Sequence, residues 1–185
     1  LAAAISANGA LVKLNLSKCW LRGAEAGKAI GDMLATNTSL KELDLSGWGP
    51  NDGASSDAEF AKAFAVGLGA NGALVSFDIS ENSLYAAGAK AVAEALKGNQ
   101  IMTELIISNN YMGFKDNTGA SDTSGVIAIS DAIPTMGALT SLNMSNNSIA
   151  TKEAGKALAD ALAANSTLNS SAKKVSDTKG TCTSK

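Results

Sequence analysis

The chain has 185 residues, 45% hydrophobic, 4% aromatic and 17% charged, with a formal net charge of −2. That length can close a core without staples; Cys19 and Cys182 are too few for a disulfide framework, and the absence of histidine removes the commonest general base and metal ligand. Arg22 is the single arginine, which excludes an arginine-rich nucleic-acid patch, and no run approaches the roughly 18 to 20 apolar residues that cross a bilayer.

Read from its start, the chain repeats itself. Leu1 and Ile5 are followed by Ile30 and Leu34, Phe64 and Leu68, Val92 and Leu96, Ile129 and Ile133, and Leu158 and Leu162. The four-residue step puts each pair on one face of a helix. After each of the first five pairs comes a short strand of the form apolar-x-x-apolar-x-apolar, starting at 11, 40, 74, 102 and 139 and followed by Ser17, Ser46, Ser80, Ser108 or Ser145. The spacings of 29, 34, 28 and 37 define a unit of 28 or 29 residues with insertions at residues 47–56 and 113–125, both rich in turn formers.

Two polar columns punctuate the units. Asn8, Asn37, Asn71, Asn99 and Asn165 stand three places before a strand and are expected to stop the helices in the left-handed conformation. Met136 breaks that column, and Pro134 is expected to shorten the helix before it. Two places after each serine come Cys19, Trp48, Asn82, Asn110 and Asn147, an inward-facing position whose polar group hydrogen-bonds the backbone of neighbouring turns. Trp48 cannot fill that role, so the second turn is expected to be rearranged. Cys19 reads as a buried thiol, which together with Cys182 in the tail favours the cytoplasm or another reducing compartment.

Residues 1–10 match the latter half of a unit and lack the basic region of a signal peptide, so the chain is read as starting inside a repeat array. Residues 1–168 form the repeat domain. Residues 169–185 carry four lysines against Asp177, a net +3 that leaves −5 on the repeats, and are read as a poorly ordered basic tail.

The strand pattern, the unit length and helices such as residues 153–162 resemble the ribonuclease-inhibitor class of leucine-rich repeats. The resemblance implies an α/β leucine-rich repeat solenoid, a curved horseshoe segment with parallel β-strands on its concave face and α-helices on its convex face. It also implies binding through exposed strand or loop residues.

Several local patterns have plain structural explanations. Residues 23–28 resemble a phosphate-binding loop, but the spacing is one residue short and Ala29 replaces the required Ser/Thr; Gly155 and Lys156 recur at the same repeat position, marking a helix start. Asp52, Asp57, Asp116 and Asp122 lack the alternating ligands of a calcium loop. Lys28, Lys62, Lys90 and Lys156 form a convex stripe, with Asp32, Glu94 and Asp160 four residues after three of them.

The concave positions are more informative. Glu42, Asp44, Asp78, Glu81 and Glu104 cluster in the middle turns and form an acidic strip suited to a basic segment of a protein partner. A second candidate patch comprises Val126 and Ile127 with Tyr111 and Phe114 of the insertion, and Trp48 marks the other interrupted turn. No nucleophile has a base, so the expectation is no enzyme, no cofactor, no metal, no nucleic acid and no membrane insertion. The reading is a soluble protein-interaction module or scaffold, with a permanent structural subunit of a larger complex as the alternative.

Overall fold

Each unit contributes one three-residue strand, and the five strands form a single parallel sheet in chain order: β1 (Lys13–Asn15), β2 (Glu42–Asp44), β3 (Ser76–Asp78), β4 (Glu104–Ile106) and β5 (Ser141–Asn143). The computed structural model describes residues 2–47 and 58–170. Helix α1 (Ala2–Ser6) precedes β1. Helices α2 (Gly23–Thr36), α3 (Ala58–Ala70), α4 (Tyr85–Leu96), α5 (Ser124–Ala132) and α6 (Lys152–Ala164) each follow a strand, and α7 (Ser166–Ser170) follows α6. Among the described residues no helix is long and apolar enough to cross a membrane.

The register is the repeat itself: Leu14, Leu43, Phe77, Leu105 and Leu142 are consecutive partners across the sheet. They face the helices because alternate strand residues point to opposite faces. The apolar helix pairs meet them, with Ile5, Ile30, Leu34, Phe64, Leu68, Val92, Leu96, Ile129, Ile133 and Leu158 buried and Leu162 half-buried. Leu1 lies outside the described residues. The Phe64 ring stacks on Phe77 at 5.4 Å, tying a helix to a strand. Helices α2 and α3 touch backbone to backbone, since a Cβ on Gly67 would stand 1.9 Å from the Gly31 carbonyl oxygen. Pro134 acts as expected: α5 ends at Ala132 and gives way to a 3-10 turn, Ile133–Thr135. Leu168, where a sixth strand would start, is instead buried within α7. The remainder of the tail lies outside the described residues.

Three-residue strands leave loops on either side of each strand, and buried amide side chains hold those loops together. Asn82, Asn110 and Asn147 are buried in a continuous ladder. The Asn110 side-chain Nδ2 donates to the carbonyls of Ile79 (2.9 Å), Ile107 (3.2 Å) and Ser108 (3.3 Å), while its Oδ1 accepts the Asn82 N–H at 2.9 Å. The Asn110 N–H in turn donates to Asn147 Oδ1 at 2.8 Å. The residues on either side of each ladder asparagine are left-handed, with φ between 49° and 60° at Glu81, Ser83, Asn109, Tyr111, Asn146 and Ser148, which turns the amide inward.

The helix-stop column works differently from the expectation. Its asparagines are not left-handed: Asn37 has φ −82° and ψ 125°, and Asn165 has φ −85° and ψ 102°. They end helices with their side chains instead. Asn37 Nδ2 donates to the carbonyls of Ile5 (2.9 Å) and Asn8 (3.1 Å), and its Oδ1 accepts the N–H groups of Ser39 (3.0 Å) and Leu40 (2.8 Å). Asn71 and Asn165 repeat the pattern. A left-handed cap would satisfy one turn, whereas this amide satisfies two. Met136 is buried and its side chain has no donor; there Gln100 Nε2 reaches forward to the Thr135 carbonyl at 2.7 Å.

A second correction concerns Cys19. It occupies the first place of the inner ladder but is exposed, so its thiol is not a buried structural group and gives no support for a reducing compartment. Trp48 and the rearrangement expected of its turn lie outside the described residues.

Asn110 links three turns, so Asn110→Leu orphans buried carbonyls and the Asn82 N–H at once. At about 1–3 kcal/mol for a buried group left unpaired, the variant is expected to lose on the order of 3–5 kcal/mol in urea unfolding.

Candidate protein-interaction surface

On the concave face the sheet register sets side chains in rows. One row is Lys13, Glu42, Ser76, Glu104 and Ser141; the next is Asn15, Asp44, Asp78, Ile106 and Asn143. Neighbouring strands lie about 4.8 Å apart, so Asp44 and Asp78 are close like-charged neighbours. The structure therefore brings Glu42, Asp44, Asp78 and Glu104 together on one face, and exposed Glu81 stands just beyond the end of β3.

These groups differ in their partners. Lys13 Nζ pairs with Glu42 Oε2 at 2.8 Å with both side chains largely exposed, an interaction of little stabilising value. Ser76 Oγ donates to Glu104 Oε2 at 2.7 Å, and Asn15 Nδ2 donates to Asp44 Oδ2 at 2.8 Å. Among the described residues no ion pair reaches Asp44, Asp78, Glu81 or Glu104. Burial pushes the Asp78 carboxyl above the ordinary aspartate range; its hydrogen bonds to Ser80 oppose that rise, and the nearby Asp44 and Glu104 charges add to it.

The second row also explains the serine column. Asn15 Oδ1 accepts the Ser17 N–H (2.9 Å) and hydroxyl (2.7 Å), and Asn143 Oδ1 accepts those of Ser145 at 3.2 and 2.9 Å. Asp78 Oδ1 does the same for Ser80 at 2.8 and 2.6 Å, and Asp44 Oδ1 accepts the Ser46 N–H at 2.8 Å. Each side chain caps the turn two residues later. Four of the five turns are capped by an Asx oxygen, with Ile106 in the place before Ser108, and asparagine supplies the cap as aspartate does.

Aromatic side chains line the rim where strands lead into helices. The Tyr85 and Tyr111 rings stack at 5.7 Å, with Tyr85 buried and Tyr111 half-buried. Half-buried Phe114 pairs with Ser121 in an isolated antiparallel bridge that closes the second insertion. Within and after that loop Asp116 and Asp122 are held below the usual aspartate range, chiefly by side-chain hydrogen bonds from Thr118 and Ser124, so both serve as turn caps. Trp20, absent from the sequence candidates, is 66% exposed with the Arg22 guanidinium 4.7 Å over its ring. Its equivalence to Tyr111, one residue past the ladder position and likewise left-handed, is the signal that would have found it.

The second sequence patch needs correction. Val126 is fully buried at 0% exposure and offers a partner no surface. Ile127 is half-buried and packs against the core. Helix periodicity explains both: the opening turn of α5 is drawn onto α4, where a Cβ on Gly125 would meet the Ala86 Cα at 2.7 Å. On the convex stripe Lys28 pairs with Asp32 and Lys156 with Asp160, while Glu94 faces Lys97 at 4.0 Å rather than the expected Lys90.

Parallel strands in chain order, a returning helix in each unit and the inner asparagine ladder define a class of fold: the chain adopts the leucine-rich repeat fold. A family model described as leucine-rich repeat matches residues 36–47, the segment that runs from the end of α2 through β2. Among solved structures the chain is similar to the leiomodin-1 actin-binding site 2, with a TM-score of 0.64 at 19% identity over 89% of this chain and 86% of that one. It is also similar to a tropomodulin C-terminal domain from Caenorhabditis elegans, with a TM-score of 0.64 at 14% identity over 89% of this chain and 92% of that one. At these identities the likeness is one of fold.

Asp78→Asn keeps the cap and removes a half-buried charge, so thermal melting at neutral pH should show no loss or a gain. Asp78→Ala removes the cap and should lose about 1 kcal/mol. Because the folded pKa is raised, the contribution of Asp78 is fully present below its unfolded pKa and is lost as pH rises through the folded value. The stability of wild type relative to Asp78→Asn should therefore improve as pH falls through that window.

Proposed function

We propose that the protein is a non-enzymatic interaction module whose concave acidic strip receives a basic segment of a protein partner, with the aromatic rim beside it supplying apolar contact. The observation that carries this reading is the exchange of Asn for Asp in the second concave row. Asn15 and Asn143 cap their serines without charge, so the carboxylates of Asp44 and Asp78 are not required by the turn they serve. They stand side by side, with Glu104 near, and burial opposes the ionisation of Asp78. A lysine or arginine placed between them relieves that repulsion, and this relief is available only in the complex. Asx capping and the two amide ladders hold the strip in place before binding, so little ordering entropy is lost on contact.

One structural neighbour is named as an actin-binding site, which makes actin the first protein to assay alongside an unbiased crosslinking screen. The direct test is titration of the full chain with a lysine-rich peptide, comparing wild type with the double variant Asp44→Asn and Asp78→Asn. Each desolvated charge contact is worth on the order of 1–2 kcal/mol, so the double variant is expected to bind about tenfold or more weakly with a shallower salt dependence. Equal affinity and equal salt dependence would exclude the strip as the binding surface.

A further inference from the structure

The hexapeptide Ala-Asn-Gly-Ala-Leu-Val occurs twice, at residues 7–12 and 70–75, in the same place of two repeat units. Asparagine followed by glycine is the pairing most open to intramolecular attack on the side-chain amide, because glycine has no side chain to hinder the approach of its nitrogen. Identical sequence gives Asn8 and Asn71 the same intrinsic reactivity, so any difference between them comes from their surroundings.

Those surroundings differ sharply. Asn71 is 7% exposed and its amide is held at both ends: Nδ2 donates to the carbonyls of Leu34 (2.7 Å) and Asn37 (3.2 Å), and Oδ1 accepts the N–H groups of Ala73 (3.0 Å) and Leu74 (2.8 Å). Asn8 is exposed. Its Oδ1 accepts the N–H groups of Ala10 and Leu11, both at 2.8 Å, while its Nδ2 meets no acceptor among the described residues. Around Gly9 and Gly72 alike a Cβ would find nothing within 4 Å, so the contrast lies in the asparagine side chains.

We propose that Asn8 is a site of spontaneous deamidation in the folded protein and that Asn71 is protected. The Gly9 backbone nitrogen gives its proton to solvent and bonds to Asn8 Cγ, the bond from Cγ to Nδ2 breaks, and ammonia leaves. The resulting succinimide takes up one water at either ring carbonyl and opens to aspartate or isoaspartate. Water is consumed and ammonia released, with no change of oxidation state. The consequence is local, because the Asn8 carbonyl accepts Asn37 Nδ2 (3.1 Å) and Ser39 Oγ (3.0 Å). An isoaspartyl link inserts a carbon into the main chain beside that acceptor, and so weakens the hold of the second turn on the first.

The test is peptide mapping by mass spectrometry, with fragmentation that separates isoaspartate from aspartate. The full chain is aged at mildly alkaline pH in native buffer and in urea. Asn71 reacts only when its turn opens, so in native buffer Asn8 should convert at least about tenfold faster, and in urea the two rates should converge. Gly9→Ala should slow conversion at Asn8 and leave the melting temperature unchanged. Equal native rates at the two sites, an Asn8 that stays intact in native buffer while reacting in urea, or unchanged conversion in Gly9→Ala would each overturn the proposal.

Discussion

The structure depends on one requirement, which is to satisfy the backbone carbonyls that point inward where each turn of the chain stacks on the next. Sheet hydrogen bonds cannot do this, because each strand has only three residues. A buried primary amide can, since it carries donors and an acceptor on one compact group and bridges two turns at once. The chain uses that device on both sides of its strands: Asn82, Asn110 and Asn147 where strands lead into helices, and Asn37, Asn71 and Asn165 where helices lead into strands. The described structure contains no buried side-chain polar atom without a partner, the condition under which so many buried amides stabilise rather than destabilise a core. With the turns clamped on both sides, the hydrophobic layer between sheet and helices packs in one register.

That clamping separates stability from recognition. The ladders and the apolar pairs face inward, and the second concave row is left with one structural duty, the capping of the serine turns. Either Asn or Asp performs that duty, so the charge at those positions is free to vary with function. In that row the chain places carboxylates only on β2 and β3, between Asn15 and Ile106 with Asn143 beyond, and Lys13 stands at one end of the other row. A face with a central acidic strip follows, on strands whose flanking turns are tied by the amide ladders.

The fold was legible because its determinants are columns. Apolar pairs, strand triplets and polar punctuation recur at a spacing that only stacked units explain, and strand register follows once the columns are aligned. What stayed hidden belongs to single side chains. Sequence spacing gave the asparagine column before each strand its position but not its means, because a left-handed cap and a bridging amide use the same residue type. Cys19 shares a column with buried asparagines and is nonetheless exposed. Val126 and Ile127 stand out by composition, yet one is fully buried and the other half-buried, since the rotation of α5 rather than hydrophobicity decides which residue faces the core. The acidic strip was visible as charge in alternating positions; that its aspartates also cap turns required the hydrogen bonds.

In the proposed binding mode a cationic segment relieves the burial and like-charge repulsion that raise the Asp78 pKa in the free chain. Site-specific carboxyl titration by NMR, with Asp44 and Asp78 followed in the free chain and again with a saturating lysine-rich peptide, tests it most directly. Asp78 should show a raised pKa in the free chain that falls on binding. An ordinary value in the free chain, or one that does not move when the peptide is bound, would contradict it.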